Sequence, residues 1–487
     1  MIWTGSDDCL VHITKNNGGK WENISLPTSL LPDFSLISMI HTSEHEKGKA
    51  YLTANKYMYG DRTPYMFKTV DYGETWTKIT NGIPSDEYCR VLREDPNKAG
   101  LLFAGTERGV YVSFNDGDSW QKLNLNLPIT PIRDLQIQKR EKDLIVATHG
   151  RAFWVLDDIT PLYEIKDKMV KGDKYLFKPR HAYRMQGGQS EDTNKGTNAP
   201  NGAIVRYFFK KKPSAELKLQ FLTQKGDTII TYSSIKDLKG EPMKIAKEFY
   251  QDTKKELPGF ITAKAGMNAF VWNMRYPNAT AVDGTNVMWA GSGVGAKVVP
   301  GNYIVRLIED KTIIAESPIE IKLDPRVNVS EADLKEQFDL HQKVNKKVNE
   351  AHIAINQIRK IRTQINGYIA TVKDTVVVNQ MKKMTKTTLE NLDKVEATLM
   401  QPKAKAPQDV LAYPIQLNDK MAGLGSNISS SESKPTRNAY VVYDDLALKI
   451  DAEIKKIKNI IDNDVKEFNA FVLKQQIPAI ILEKEVK

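Results

Sequence analysis

Short runs of alternating apolar and polar residues fill the first third of the chain. Cys9-Leu10-Val11-His12-Ile13-Thr14, Leu101-Leu102-Phe103-Ala104, Gly109-Val110-Tyr111-Val112-Ser113 and the phrase from Leu144 to Leu156 are β-branched or aromatic and broken by turn residues, which predicts strands. The same texture returns at 203–209, 217–222, 228–232, 268–274 and 303–307. After Ser330 the period changes: Leu334, Phe338, His341, Val344, Val348, Ile355, Ile358, Ile361 and Ile365 recur mostly at three- and four-residue steps, behind a capping-type Ser330-Glu331-Ala332-Asp333. Further helices are predicted at about 376–400, 416–424 and 437–475, with Gly425 to Ser431 read as a surface loop. The predicted fold class is therefore multidomain, mainly β and then all-α.

Three segments share one spacing: Thr14 to Trp21, Thr69 to Trp76 and Ser113 to Trp120 all read Ser/Thr-x-Asp/Asn-x-Gly-x-x-Trp. Each residue type has a mechanical reason. Asp or Asn accepts hydrogen bonds from its own turn, glycine supplies a positive φ, and tryptophan fills the space between neighbouring sheets. The starts lie 55 and 44 residues apart, near the roughly 40–45 residues of a four-stranded propeller blade.

This eight-residue pattern resembles the Asp-box, or BNR repeat, and residues 1–160 resemble the last blades of sortilin-like propellers of the bacterial type labelled glycosyl hydrolase. The resemblance implies a partial β-propeller of about four blades over 1–162, with further blades and an export signal upstream of Met1. A linker is expected over 163–200, an Ig-like β-sandwich over 201–326, similar to those of flagellar-hook-assembly and cell-envelope proteins, and a helical bundle or hairpin over 329–487.

The box residues Asn16, Gly18, Trp21, Asp71, Gly73, Trp76, Asn115, Gly117 and Trp120 are read as structural, since asparagine keeps the acceptor role but cannot act as an acid or nucleophile. A glycosidase needs two carboxylates on one sugar, and no such pair is visible in the sequence. The remaining local cluster is Thr148-His149-Gly150-Arg151 on a strand-to-strand turn. There Arg151 would bind an anionic group and His149 would carry a proton or donate a hydrogen bond; the plainer alternative is an ion pair and a turn cap. His41 and His45 lack a third ligand for a metal and are expected to be exposed. Cys9 and Cys89 allow one bridge at most, and no motif calls for a cofactor.

The formal charge of +10 first suggests nucleic acid or anionic membranes. Its distribution does not: residues 1–162 carry 18 Lys and Arg against 21 Asp and Glu, so the excess lies on the lysine-rich helices, where no aromatics interleave to stack on bases. No apolar run approaches the roughly 18 residues of a membrane span. The expected function is a non-catalytic platform for protein or glycan ligands, periplasmic, cell-surface or secreted in its full-length form. The alternative is a glycoside hydrolase whose carboxylates lie on upstream blades.

Overall fold

The computed structural model describes residues 1–168, 172–185, 196, 198–235, 260–282, 288, 293–404 and 407–477. Two compact units, Met1–Arg180 and His181–Lys487, follow one another along the chain.

The first unit is a succession of antiparallel sheets whose strands run in chain order. They are β1 (Ile2–Gly5), β2 (Val11–Thr14) and β3 (Glu22–Asn23); β4 (Leu36–Thr42), β5 (Ala50–Lys56), β6 (Asp61–Thr69) and β7 (Thr77–Lys78); β8 (Cys89–Glu94), β9 (Leu102–Thr106), β10 (Gly109–Ser113) and β11 (Gln121–Lys122); and β12 (Ile132–Gln138), β13 (Asp143–Thr148) and β14 (Phe153–Leu156). The stack is propeller-like because every residue of β9 and β10 is buried, which a sheet achieves only when covered on both faces. Each interface has its own core. Val11, Leu26, Leu52 and Phe67 fill the first, Met66, Ile79, Leu92 and Trp120 the second, and Val91, Phe103, Leu135 and Val146 the third.

His41 corrects the expectation of exposure. It stacks on buried Tyr51 with ring centroids 6.3 Å apart, and burial, with Arg93 adding to it and Glu94 and Glu44 opposing, pulls its pKa down to about 4. His45 is exposed as expected, with its Nε2 2.8 Å from the Asp95 carbonyl oxygen. Between pH 6.5 and 4 the unfolded chain takes up a proton on His41 that the folded unit refuses, so stability falls on acidification across that window. Urea midpoints of wild type and His41→Gln over pH 4–7 should converge toward pH 4; parallel curves would show that His41 does not set the slope.

The expected linker is not uniformly one. It holds a short helix, α1 (Leu162–Lys168), and strands β15 (Lys174–Leu176) and β16 (Ala182–Arg184), because Leu176, Phe177 and Ala182 are buried apolar residues that a solvated linker would not carry. Of the polar tract expected at 187–200, residues 187–195 and 197 lie outside the described residues.

The second unit pairs β17 (Ala203–Phe209) with β20 (Gly266–Trp272), and orders β16, β22 (Thr312–Leu323), β21 (Gly301–Glu309), β18 (Leu217–Thr223) and β19 (Thr228–Ser233) in a five-stranded sheet. Trp272, fully buried, stacks on Phe221 at 4.4 Å and meets Tyr303 edge-on, so aromatic rings join the two sheets. The helical region comprises α2 (Glu331–Thr371), α3 (Thr375–Leu399), α4 (Leu417–Ile428), α5 (Arg437–Ile460) and α6 (Lys466–Lys474), the last two joined by a π-type turn. Most of the predicted stripe on α2 is buried. Side chains of the same helix reach neighbouring loop carbonyls, Asn345 that of Gly293 and Asn356 that of Ala281.

The predicted surface loop at 425–431 begins inside α4. Gly425 is buried, and a Cβ there would lie 3.2 Å from Val344 and 3.3 Å from His341, so this glycine permits a close helix crossing instead of a turn. No described helix is long and apolar enough to cross a membrane.

Candidate functional site

The three repeated hairpins share one hydrogen-bond scheme. Thr14, Thr69 and Ser113 donate their hydroxyls to Asn16, Asp71 and Asn115 at 3.0, 2.7 and 2.9 Å, and accept the amides of Gly18, Gly73 and Gly117 at 2.9–3.0 Å. The Asn or Asp oxygen then accepts the amide four residues on, of Lys20, Thr75 and Ser119. Bonds from Thr75 and Thr69 hold the Asp71 carboxyl down at about 2. An acid so firmly ionised cannot donate a proton at neutral pH, and the two asparagines make the same bonds uncharged.

The second and third hairpins also grip the sheet before them. Trp76 Nε1 donates to the Ile24 carbonyl at 3.1 Å and Trp120 Nε1 to the Ile79 carbonyl at 2.7 Å. Gly73 and Gly117 face the side chains of the same isoleucines, and a Cβ on Gly117 would stand 2.8 Å from Ile79 Cδ1. Exposure follows position: Trp21 is 43 % exposed, Trp76 half-buried and Trp120 4 % exposed. Beside the third hairpin Asp116 accepts from the Tyr51 hydroxyl and pairs with Lys49 at 3.0 Å and Lys68 at 2.9 Å, while Tyr51 also donates to Glu94. Desolvation and the two carboxylates drive the Tyr51 hydroxyl pKa upward. These carboxylates are occupied in holding sheets together.

The loops β1–β2, β5–β6, β9–β10 and β13–β14 come out at one end of the stack, each beside the start of an innermost strand, as the bonds from Ile37 N to the Ser6 carbonyl and from His149 N to the Pro131 carbonyl show. His149 and Arg151 are both exposed there. Arg133 Nε donates to His149 Nδ1 at 3.0 Å, so that nitrogen is an acceptor. The Arg151 amide caps Thr148 and its carbonyl accepts from Trp154 Nε1, while no described residue pairs its guanidinium.

Sequence reasoning missed the more extensive feature of this end. In the β5–β6 turn Met58 and Tyr59 are 74 % and 66 % exposed, and Phe34, 64 % exposed, lies 6.2 Å from the Tyr59 ring. Beneath them Tyr57 and Tyr88 stack in parallel at 4.9 Å, with the Arg90 guanidinium 4.7 and 5.0 Å from their centroids and its Nε bound to Glu107 at 2.8 Å. Ile129 and Phe153 are exposed as well, at 75 % and 77 %. The available signal was Tyr57-Met58-Tyr59 itself, three large side chains in a turn where small polar residues are the rule. Cys9 and Cys89 are both free, and burial pushes the Cys89 thiol pKa up. Among the described residues no cluster of three His, Cys, Asp or Glu side chains could hold a metal ion.

No family model and no curated protein matches this sequence. Among solved structures it is similar to the GH74 xyloglucanase from Xanthomonas campestris, at 12 % identity and TM-score 0.26, covering 65 % of this chain and 52 % of that one. It is also similar to the GH74 enzyme of Niastella koreensis, at 11 % identity and TM-score 0.25, covering 65 % and 51 %. An ancestral GH74 enzyme aligns at 11 % identity and TM-score 0.24, covering 63 % and 46 %. The chain thus spans about half the length of the structures it matches.

Proposed function

We propose that the Met1–Arg180 unit is a non-catalytic binding platform for a protein or glycan ligand outside the cytoplasm. On this reading its repeats are Asp-boxes of the BNR and sortilin-like type, and the unit is part of a larger propeller. An Ig-like sandwich over 201–326 and a helical domain over 329–487 follow it. The supporting observation is the aromatic end face. Phe34, Met58 and Tyr59 expose ring and thioether surface on turns that the Tyr57, Tyr88 and Arg90 stack holds rigid, an arrangement that suits stacking on a sugar ring or anchoring a protein partner. The alternative is a glycoside hydrolase whose carboxylates lie on upstream blades; within this unit Glu94 and Asp116 are engaged by hydroxyl and ammonium donors.

Glycan-array binding and pull-downs with wild type and the Phe34→Ala/Tyr59→Ala double variant test the reading. Exposed positions of this kind change stability by no more than about 0.5 kcal/mol, so the variant should stay folded and lose captured ligands at least tenfold. Equal capture by both proteins, or turnover of aryl glycosides by wild type, would reject the platform.

A further inference from the structure

The second unit contains a cleft of about 330 Å³ beside α2. Three cationic side chains line it. Arg184, at the end of β16 and 4 % exposed, has its donors engaged: Nε bonds Glu432 at 2.7 Å, Nη1 the Lys297 and Val298 carbonyls at 3.0 and 2.7 Å, and Nη2 the Gln337 side chain at 2.7 Å. Arg275 and Lys297 are opposed in an isolated antiparallel bridge, which sets their Cβ atoms about 5 Å apart on one face. Arg275 uses Nη1 on the Gly295 carbonyl at 2.9 Å and Lys297 uses one N–H on the Met185 carbonyl at 2.5 Å. No described residue accepts from Arg275 Nε or Nη2, or from the other two ammonium hydrogens.

The charge does not balance locally. Glu432 is the one carboxylate among the described lining residues and already holds Arg184, so three cations face one anion. Burial, together with the neighbouring cations and against the pull of Glu432, lowers the Lys297 pKa to about 8, and burial and Arg184 lower that of Arg275. His341, buried at the same wall, is held neutral by the same causes, its pKa near 4. A fold that keeps like charges together in a sheltered site bears a cost that a bound anion would remove. Arg275 Nε and Nη2 form the side-on fork that accepts two oxygens of a planar or tetrahedral anion, and Lys297 can supply a point charge to a third. Water occupies about 30 Å³ per molecule in the liquid, so the volume exceeds what a bare oxyanion fills, and Phe338 and Ala296 offer apolar wall beside it.

We propose that this cleft binds a phosphate dianion, free or as the head of a small phosphate monoester, through Arg275 and Lys297, with Arg184 and Glu432 fixing the frame. The test is calorimetric titration of the full chain with inorganic phosphate, inorganic sulfate and a hexose 6-phosphate at constant ionic strength, with chloride and acetate as controls. Phosphate and sulfate should bind where chloride and acetate do not, and Arg275→Met and Lys297→Met should each weaken binding at least tenfold. Because each substitution removes one of two repelling cations, both variants should melt no lower than wild type without ligand. The wild type alone gives an independent check should a variant misfold. Sulfate remains a dianion throughout, so deprotonation of Lys297 should weaken it about tenfold between pH 7 and 9. Tighter binding of the hexose phosphate than of phosphate identifies the ester as the ligand, and equal binding the free ion. Identical responses to sulfate and chloride, a pH-independent sulfate affinity, or variants that bind like wild type would overturn the site.

Discussion

Trp120→Ala will destabilise the Met1–Arg180 unit by about 3–5 kcal/mol, the usual cost of emptying a buried tryptophan site, whereas Trp21→Ala will cost about 1 kcal/mol or less. The two occupy the same place in the repeat, and only their surroundings differ. Trp120 is 4 % exposed, packs with Ile79, Met66 and Leu92, and donates to the Ile79 carbonyl; Trp21 is 43 % exposed. Peptide-resolved hydrogen exchange separates this unit from the second one. Protection of residues 66–83 and 110–122 should fall by about two to four orders of magnitude in Trp120→Ala, as that free-energy loss requires. Equal losses in both variants would show that the motif stabilises its own hairpin and not the interface.

Removal of the Arg184 side chain will have a comparable effect on the second unit. Arg184→Met leaves Glu432, whose side chain is 5 % exposed, without its cation, and strips the Lys297 and Val298 carbonyls and Gln337 of their donor. Breaking one half of a buried pair costs about 3–5 kcal/mol, while replacing both halves by apolar groups is often close to neutral. Arg184→Met/Glu432→Leu should therefore recover at least half of the loss in denaturant midpoint. A double variant no more stable than the single would assign the effect to the carbonyls and Gln337, with the ion pair secondary.

Local order was readable where a motif is self-contained. Thr69, Asp71, Gly73 and Trp76 make their defining bonds within eight residues or against one neighbour, so the hairpin and its tryptophan could be anticipated from spacing. The α2 stripe was readable for the same reason, since Leu334, Val344, Val348 and Ile355 share one face. Features that depend on distant residues were not. His41 looked exposed because nothing near it in sequence shows that Tyr51 would cover it. Gly425 looked like a loop residue because glycine also signals turns, and only the arrival of Val344 and His341 shows that contact distance is its purpose. Arg184, Arg275 and Lys297 meet across more than a hundred residues, where each is an unremarkable cation in a basic half of the chain.

The grip of the second and third hairpins on the sheets before them runs in one direction. Trp76 reaches back to Ile24 and Trp120 to Ile79, and Trp120 N also bonds the Asn81 carbonyl. A sheet emerging during synthesis is therefore sealed by a residue translated some forty to fifty positions later. Neither contact can form until the later hairpin has been made, so during synthesis each of these two sheets lacks its tryptophan contact until the next repeat has followed it.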